Sequence, residues 1–349
     1  MEFMISNDAI EGDYIETKED NLFFDVKGLF HPNNFKICFL RFFPHAYGER
    51  IKNNIHFKKV YNLNERYAIL REKYPKYLFF SKQLDLEVQG VKTEDIAMIY
   101  TPRGFYRKLK EGNKLTGIQK HSKDLCDLFI SEGNLSENNI GITGSTMIGL
   151  NTEDSDIDII IYGTESSLKF QGKLAEIYER TNKLRKYNIS EYESHYNWRV
   201  GGSGIYFKEF FKIEKRKQHQ GKFGKFDFFI RYIKSPEDWK GNFYDYKYKN
   251  CGRIKLKANI IDSKDAIFTP CSYKINPLKI LESSVISKNL NIRDINEVNS
   301  FRGRFCEQAR EGETVLVEGK LEKVNFKNTI EYYRILLTDQ IKDKLLILK

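Results

Sequence analysis

The run Asp156-Ile157-Asp158-Ile159-Ile160-Ile161 constrains this chain more than any other stretch. A short apolar run of this kind reads as a buried strand, and strand side chains at i and i+2 share a face. Asp156 and Asp158 therefore project together, with Ile157, Ile159 and Ile161 on the opposite face. Neighbouring carboxylates repel, so the pair is favourable only beside a cation or a cluster of donors. Hard oxygen ligands suit Mg²⁺, which takes one or two protein carboxylates and completes its shell with phosphate oxygens and water. Mn²⁺ is the natural substitute.

A second half of the motif lies upstream. Ile140-Gly141-Ile142-Thr143 reads as a short strand ending at Gly144-Ser145, and ten residues separate Ser145 from Asp156. Glycine lets the backbone approach a phosphate, and the exposed N–H groups of such a turn form an anion-binding nest. The Ser145 hydroxyl adds a donor, and Gly149 and Asn151 let the chain return into the acidic strand. The plainer alternative is a β-hairpin whose acids keep an edge strand soluble. Both halves at this spacing favour a site that holds a nucleoside triphosphate through phosphates and metal.

A third acid is expected on a neighbouring strand. Residues 225–232 are apolar and aromatic, as a buried strand requires, and an aspartate inside such a strand is costly unless paired or metal-bound. Asp227 is accordingly placed to bind metal and to accept the proton of an attacking hydroxyl. The competing reading pairs it with Arg231 on the same face.

The Gly-Ser turn, the ten-residue spacer, the Asp-Ile-Asp strand and a later acidic strand together resemble the DNA polymerase β nucleotidyltransferase superfamily. Phe24-Asp25-Val26-Lys27-Gly28-Leu29-Phe30-His31-Pro32 and Ser155-Asp156-Ile157-Asp158 also resemble an uncharacterised group of archaeal predicted nucleotidyltransferases. The resemblance implies an α+β core, a small mixed sheet with helices on one side. It implies transfer of a nucleoside monophosphate from an NTP or dNTP to a hydroxyl, with release of pyrophosphate by a two-metal mechanism. By it, Gly144 and Ser145 would hold the triphosphate, Asp156 and Asp158 would bind the metals, and Asp227 would complete a triad of acids.

Composition fits a polyanionic partner. The chain has 349 residues and a formal net charge of +10, which favours phosphate-rich surfaces without proving one. Its length allows two or three domains, each with its own core. Five scattered cysteines without a Cys-x-x-Cys pair argue against a zinc knuckle and for a reducing compartment. No apolar run approaches a membrane span, and Met1-Glu2-Phe3 does not open as a signal peptide. The expectation is a cytoplasmic protein without membrane contact.

Three regions are expected. Residues 1–112 read as an accessory α+β domain. It holds strands near Leu22–Leu29 and Phe35–Phe43, then a helix from Leu63 capped by Asn62, with Leu63, Tyr67, Leu70 and Tyr74 on its apolar face. Residues 113–248 read as the catalytic domain, with amphipathic helices near Leu115–Ile130 and around Phe170, Leu174, Ile177 and Tyr178. Arg199–Gly204 is a flexible turn, a weak candidate for a second phosphate cradle. Beyond it, Ile205–Lys217 reads as a helix with aromatic and basic sides, which brings Lys215, Arg216 and Lys217 towards the triphosphate or the acceptor backbone. Basic groups there would neutralise charge on the transferred phosphoryl group. The alternative is a solvated basic face.

Residues 249–349 read as mainly β, compatible with a small OB-like barrel of the kind that binds single-stranded nucleic acid. Lys255, Lys257, Arg302, Arg304, Lys320, Lys323 and Arg334 are the candidate basic surface, and Tyr332 and Tyr333 the candidate stacking rings. The functional expectation is nucleotide addition to the 3′-hydroxyl of DNA or RNA. Nucleotidylation of a protein or small molecule, and a catalytically silent nucleic-acid-binding protein, are the alternatives.

Overall fold

A computed structural model of the chain describes residues 9–115, 117–285 and 290–349. The acidic start Met1-Glu2-Phe3 lies outside the described residues. The chain gathers into two compact units. The first takes residues up to Ser81, Leu86–Leu184 and Gln220–Phe243; the second takes Lys82–Asp85, Arg185–His219 and Tyr244–Lys349. The division does not follow the boundaries expected at residues 112 and 248. Helical residues Arg185–His219, expected within the catalytic domain, go with the C-terminal strands, whereas the N-terminal sheet and the Asp-Ile-Asp strand share one unit.

In the first unit, Gln220–Phe223, Phe226–Ile233, Ile157–Tyr162 and Ile140–Thr143 lie side by side in a mixed sheet. Phe226–Ile233 runs parallel to Ile157–Tyr162, and the other two neighbours are antiparallel. Alternation divides its faces as the sequence predicts. Phe228, Ile230 and Tyr232 are buried with Ile157, Ile159 and Ile161. Helices Gly117–Gly133 and Thr164–Arg180 cover that face, through Phe129 against Phe170 and Phe228 and through Phe170 against Tyr232. Each ring contact of this kind adds roughly 0.5–1.5 kcal/mol beyond burial.

The same unit holds an N-terminal sheet, eight-stranded among the described residues. Helix Leu63–Lys73 interrupts its strands between Ile55–Lys59 and Leu78–Ser81, and Asn62 Oδ1 caps the helix by accepting from Asn64 N and Glu65 N at 2.8 and 3.2 Å. The helix buries Arg66 and Leu70 rather than Leu63 or Tyr74. Arg66 goes inward because Nε and Nη2 both donate to the Val60 carbonyl, which satisfies its charge against the backbone.

The sheet of the second unit has six strands among the described residues: Tyr246–Asp262, Cys271–Ser283, Ile295–Ser300, Thr314–Phe326, Ile330–Leu337 and Lys344–Ile347, the last paired with the fourth. Their pairings form a ring, because the first strand bonds both the second and the fourth. Only the third and fifth strands pair in parallel. Leu256, Ala258, Val315, Val317, Leu321 and Ile335 belong to its core.

Candidate functional site

The Asp-Ile-Asp strand is held by its neighbours in a fixed register. Asp158 is the cross-strand partner of Thr143 on one side and of Phe229 on the other. Cross-strand partners share a face, so Asp227, two residues before Phe229, lies on the same face as Asp158. Asp156 precedes the strand and is exposed, whereas Asp158 is partly buried.

Burial and the neighbouring Asp156 carboxylate push the Asp158 carboxyl up to about 7, against the pull of Arg231, Lys59 and Arg41. A carboxylate held in this state gains from an added cation. Among the described residues, no three or more His, Cys, Asp and Glu side chains are grouped to hold a metal. Two carboxylates alone would suit a hard divalent ion only with its remaining oxygens supplied by substrate and water.

The Gly-Ser turn stands against this carboxylate. Gly144 has φ of +76°, and a Cβ there would lie 2.2 Å from Asp158 Oδ2. Glycine is thus needed twice, for conformation and for space. The chain then makes the short helix Gly144–Met147. Ser145 is buried, and its hydroxyl donates to Ser155 Oγ at 3.3 Å, while Ser155 Oγ also accepts from Thr152 N at 2.9 Å. Ser145 thus closes the spacer upon itself in this state, rather than standing free as the phosphate donor expected of it.

Asp227 differs from its expectation in one respect. Its side chain is 49 % exposed and pairs with Lys222 Nζ at 3.0 Å. The cost assigned to a buried aspartate is absent, because this edge of the strand faces outward. Arg231 pairs instead with Glu11 at 2.8 Å and reaches Asp25 at 3.9 Å.

The basic helix is corrected more sharply. Its regular part is Phe207–Glu214, and Lys215, Arg216 and Lys217 all fall in the second unit. Lys215 is exposed, with its ammonium 5.4 Å from the Phe211 ring centre. Arg216 pairs with Glu313 at 2.6 Å. Lys217 is fully buried, pairs with Glu214 at 2.9 Å and donates to the Arg304 carbonyl at 2.5 Å. A buried ammonium with both partners inside its own unit is a structural group, not a free phosphate ligand. The turn at Gly201–Gly204 also has a local role, since Ser203 Oγ donates to the Val200 carbonyl at 2.6 Å and finishes helix Ile189–Val200.

Several residues that no spacing signalled lie around Asp158. The N-terminal sheet grips the turn and spacer: Phe23, Phe42 and Phe57 pack with Met147, Ile148 and Leu150. Arg50 Nη1 donates to the Leu150 carbonyl at 2.5 Å, and Thr143 Oγ1 to the Gly12 carbonyl at 2.5 Å. Burial works against the charge of Arg41, but Tyr14, Asp25 and Asp158 hold its pKa above the ordinary value. Only Asp25 lay within a segment already marked by resemblance.

The candidate basic surface of the second unit is largely compensated. Lys255 pairs with Glu282, Lys320 and Arg334 with Glu322, and Lys323 with Glu331. Arg304 donates to the carbonyls of Arg199, Gln340 and Asp343. Tyr332 and Tyr333 are half-buried. The parallel rings are Tyr246 and Tyr248, 5.9 Å apart, with Arg334 over Tyr248 at 3.9 Å.

Residues 118–217 match the family model described as "Nucleotidyltransferase domain". The segment bearing the Gly-Ser turn and the aspartate pair is thus similar to a nucleotidyltransferase domain, in keeping with the polymerase-β-like resemblance. Asp227 lies beyond the matched segment. The chain is also similar to "Uncharacterized protein MJ1086" of Methanocaldococcus jannaschii, 28 % identical over 333 residues, covering 93 % of this chain and 94 % of that protein. No solved structure matches. Among the described residues no helix is long and apolar enough to cross a membrane.

Proposed function

We propose that this protein is a metal-dependent nucleotidyltransferase that adds a nucleoside monophosphate from an NTP or dNTP to the 3′-hydroxyl of a nucleic acid. The observation that carries the reading is the shared face of Asp158 and Asp227 beside Gly144, with Asp156 near enough to raise the Asp158 carboxyl. Asp156 and Asp158 would hold Mg²⁺ or Mn²⁺, which when bound offsets charge on the triphosphate. Gly144 lets the turn backbone lie directly against the Asp158 carboxylate. The acceptor oxygen forms a bond to the α-phosphorus, the bond to pyrophosphate breaks, and the Asp227 carboxylate accepts the hydroxyl proton.

The nucleic-acid acceptor is supported by the second unit. The first five strands of its sheet, in the order 1-2-3-5-4 with strands three and five parallel, are compatible with an OB-like barrel, a frame often used for single strands. The paired tyrosines Tyr246 and Tyr248 are candidate stacking rings.

The test is incorporation of labelled NTPs and dNTPs onto 3′-hydroxyl DNA and RNA oligomers with Mg²⁺ or Mn²⁺. Extension by wild type, reduced at least about a hundredfold in Asp156→Ala and Asp158→Ala, is expected. Equal turnover in both folded variants would sink the site assignment. Labelling of a protein or small molecule, with no oligomer extended, would move the acceptor away from nucleic acid.

A further inference from the structure

We propose that Arg41 and Lys59 of the N-terminal sheet are the cations that grip the triphosphate of a nucleotide bound at Asp156 and Asp158. The inference rests on the nucleotidyl-transfer reading and changes the part assigned to the N-terminal sheet, from accessory domain to wall of the site.

Strand register is the first support. Phe23 pairs with Phe42, and Phe24 with Leu40, so Arg41 is the extra residue of a β-bulge. Bulges re-aim a side chain and cluster beside active sites. Lys59 is the cross-strand partner of Phe42, so the two side chains share a face. Phe42 packs with Met147, Ile148 and Leu150, so that face is the one turned to the Gly144–Leu150 turn. Arg41 and Lys59 meet at one ring: the guanidinium lies 6.0 Å and the ammonium 4.7 Å from the centre of Tyr61.

Spare bonding capacity is the second support. Arg41 hydrogen-bonds the Tyr14 hydroxyl, yet its Nε is buried without a partner. Buried nitrogens of this kind call for an explanation, and an absent anionic ligand is one. Lys59 forms no ion pair among the described residues. The contrast with Lys217 is direct, since that ammonium has a carboxylate and a carbonyl within its own unit.

Chemistry supplies the third. A triphosphate carries more negative charge than one divalent ion neutralises, and a guanidinium fork with an ammonium beside it matches terminal phosphate oxygens. Glu11 and Asp25, by contrast, are each paired with both Lys27 and Arg231. Arg41 interacts electrostatically with both Asp25 and Asp158.

The experiment measures binding, not turnover. Wild type, Arg41→Gln and Lys59→Gln are titrated calorimetrically with α,β-methylene NTPs and dNTPs in Mg²⁺, and in parallel with the monophosphates. Each variant is expected to weaken triphosphate binding by about tenfold or more and to leave monophosphate binding within about twofold. Lys59→Gln keeps the test open if Arg41→Gln fails to fold, because Lys59 is only partly buried. Equal triphosphate affinity in a folded variant overturns the inference while the transferase reading stands. Equal loss for both ligands overturns it too, since a structural role moves them together. Failure of wild type to bind any triphosphate with Mg²⁺ overturns the transferase reading, and the inference with it.

Discussion

The two units each hold a cluster of poorly hydrated charges, and the clusters are settled in opposite ways. In the second unit Glu214 is buried with Lys217 at 2.9 Å and His195 at 3.3 Å. Burial alone would raise the Glu214 carboxyl, yet Lys217 and the nearby His195 imidazole hold it well below its ordinary range. In the first unit Asp158 faces Asp156, and burial and that like charge drive it up to about 7. One cluster is complete as folded. In the other, burial and a like charge outweigh the pull of Arg231, Lys59 and Arg41, the kind of imbalance expected of a functional site.

Breaking the complete cluster has the largest expected effect on stability. Glu214→Ala leaves Lys217 buried without its carboxylate and is expected to cost about 3–5 kcal/mol in chemical denaturation. Replacing Glu214 and Lys217 together by methionine is expected to restore most of that loss, because no isolated charge then stays inside. A small loss in the single variant would show that water reaches the pair.

The incomplete cluster should respond with the opposite sign. Asp158→Asn is expected to stabilise the metal-free protein by about 1–2 kcal/mol above pH 7, after allowance for partial solvent access. An acid whose pKa is raised on folding binds more protons in the native state, so its stability contribution is full below its ordinary value and is lost as pH rises through about 7. The variant's advantage should therefore vanish towards acid pH and grow to a plateau above neutrality. Saturating Mg²⁺ should erase it by stabilising wild type alone. An advantage independent of pH would remove the charge argument.

Asp227 sharpens the comparison at its smallest amplitude. Its pair with Lys222 is solvent-accessible, so Asp227→Ala should shift stability by less than about 1 kcal/mol. Transfer should nevertheless fall by about a hundredfold or more if Asp227 takes the proton. A variant unchanged in both properties would leave only the aspartate pair in the site.

Spacing and alternation were enough to place the pair, because they act between residues close in sequence. Apolar positions two apart put Ile157, Ile159 and Ile161 in the core and left Asp158 on the other face, and the parallel Phe226–Ile233 strand follows the same alternation. The positive φ of Gly144 and the Asn62 cap are equally local consequences of residue type. The sequence by itself thus determined the strand, the turn and the face that carries the acids.

Charge partners were decided only by the tertiary structure. Lys217 looked like a phosphate ligand until folding placed Glu214 and the Arg304 carbonyl around it. Arg41 and Lys59 carried no signal, because 116 and 98 residues respectively separate them from Asp158. A bulge and a cross-strand register bring them to the face packed against the Gly144 turn. A side chain's own periodicity fixes which way it points, but the charge it meets depends on which distant strand lies opposite, and that is settled by packing of the whole unit.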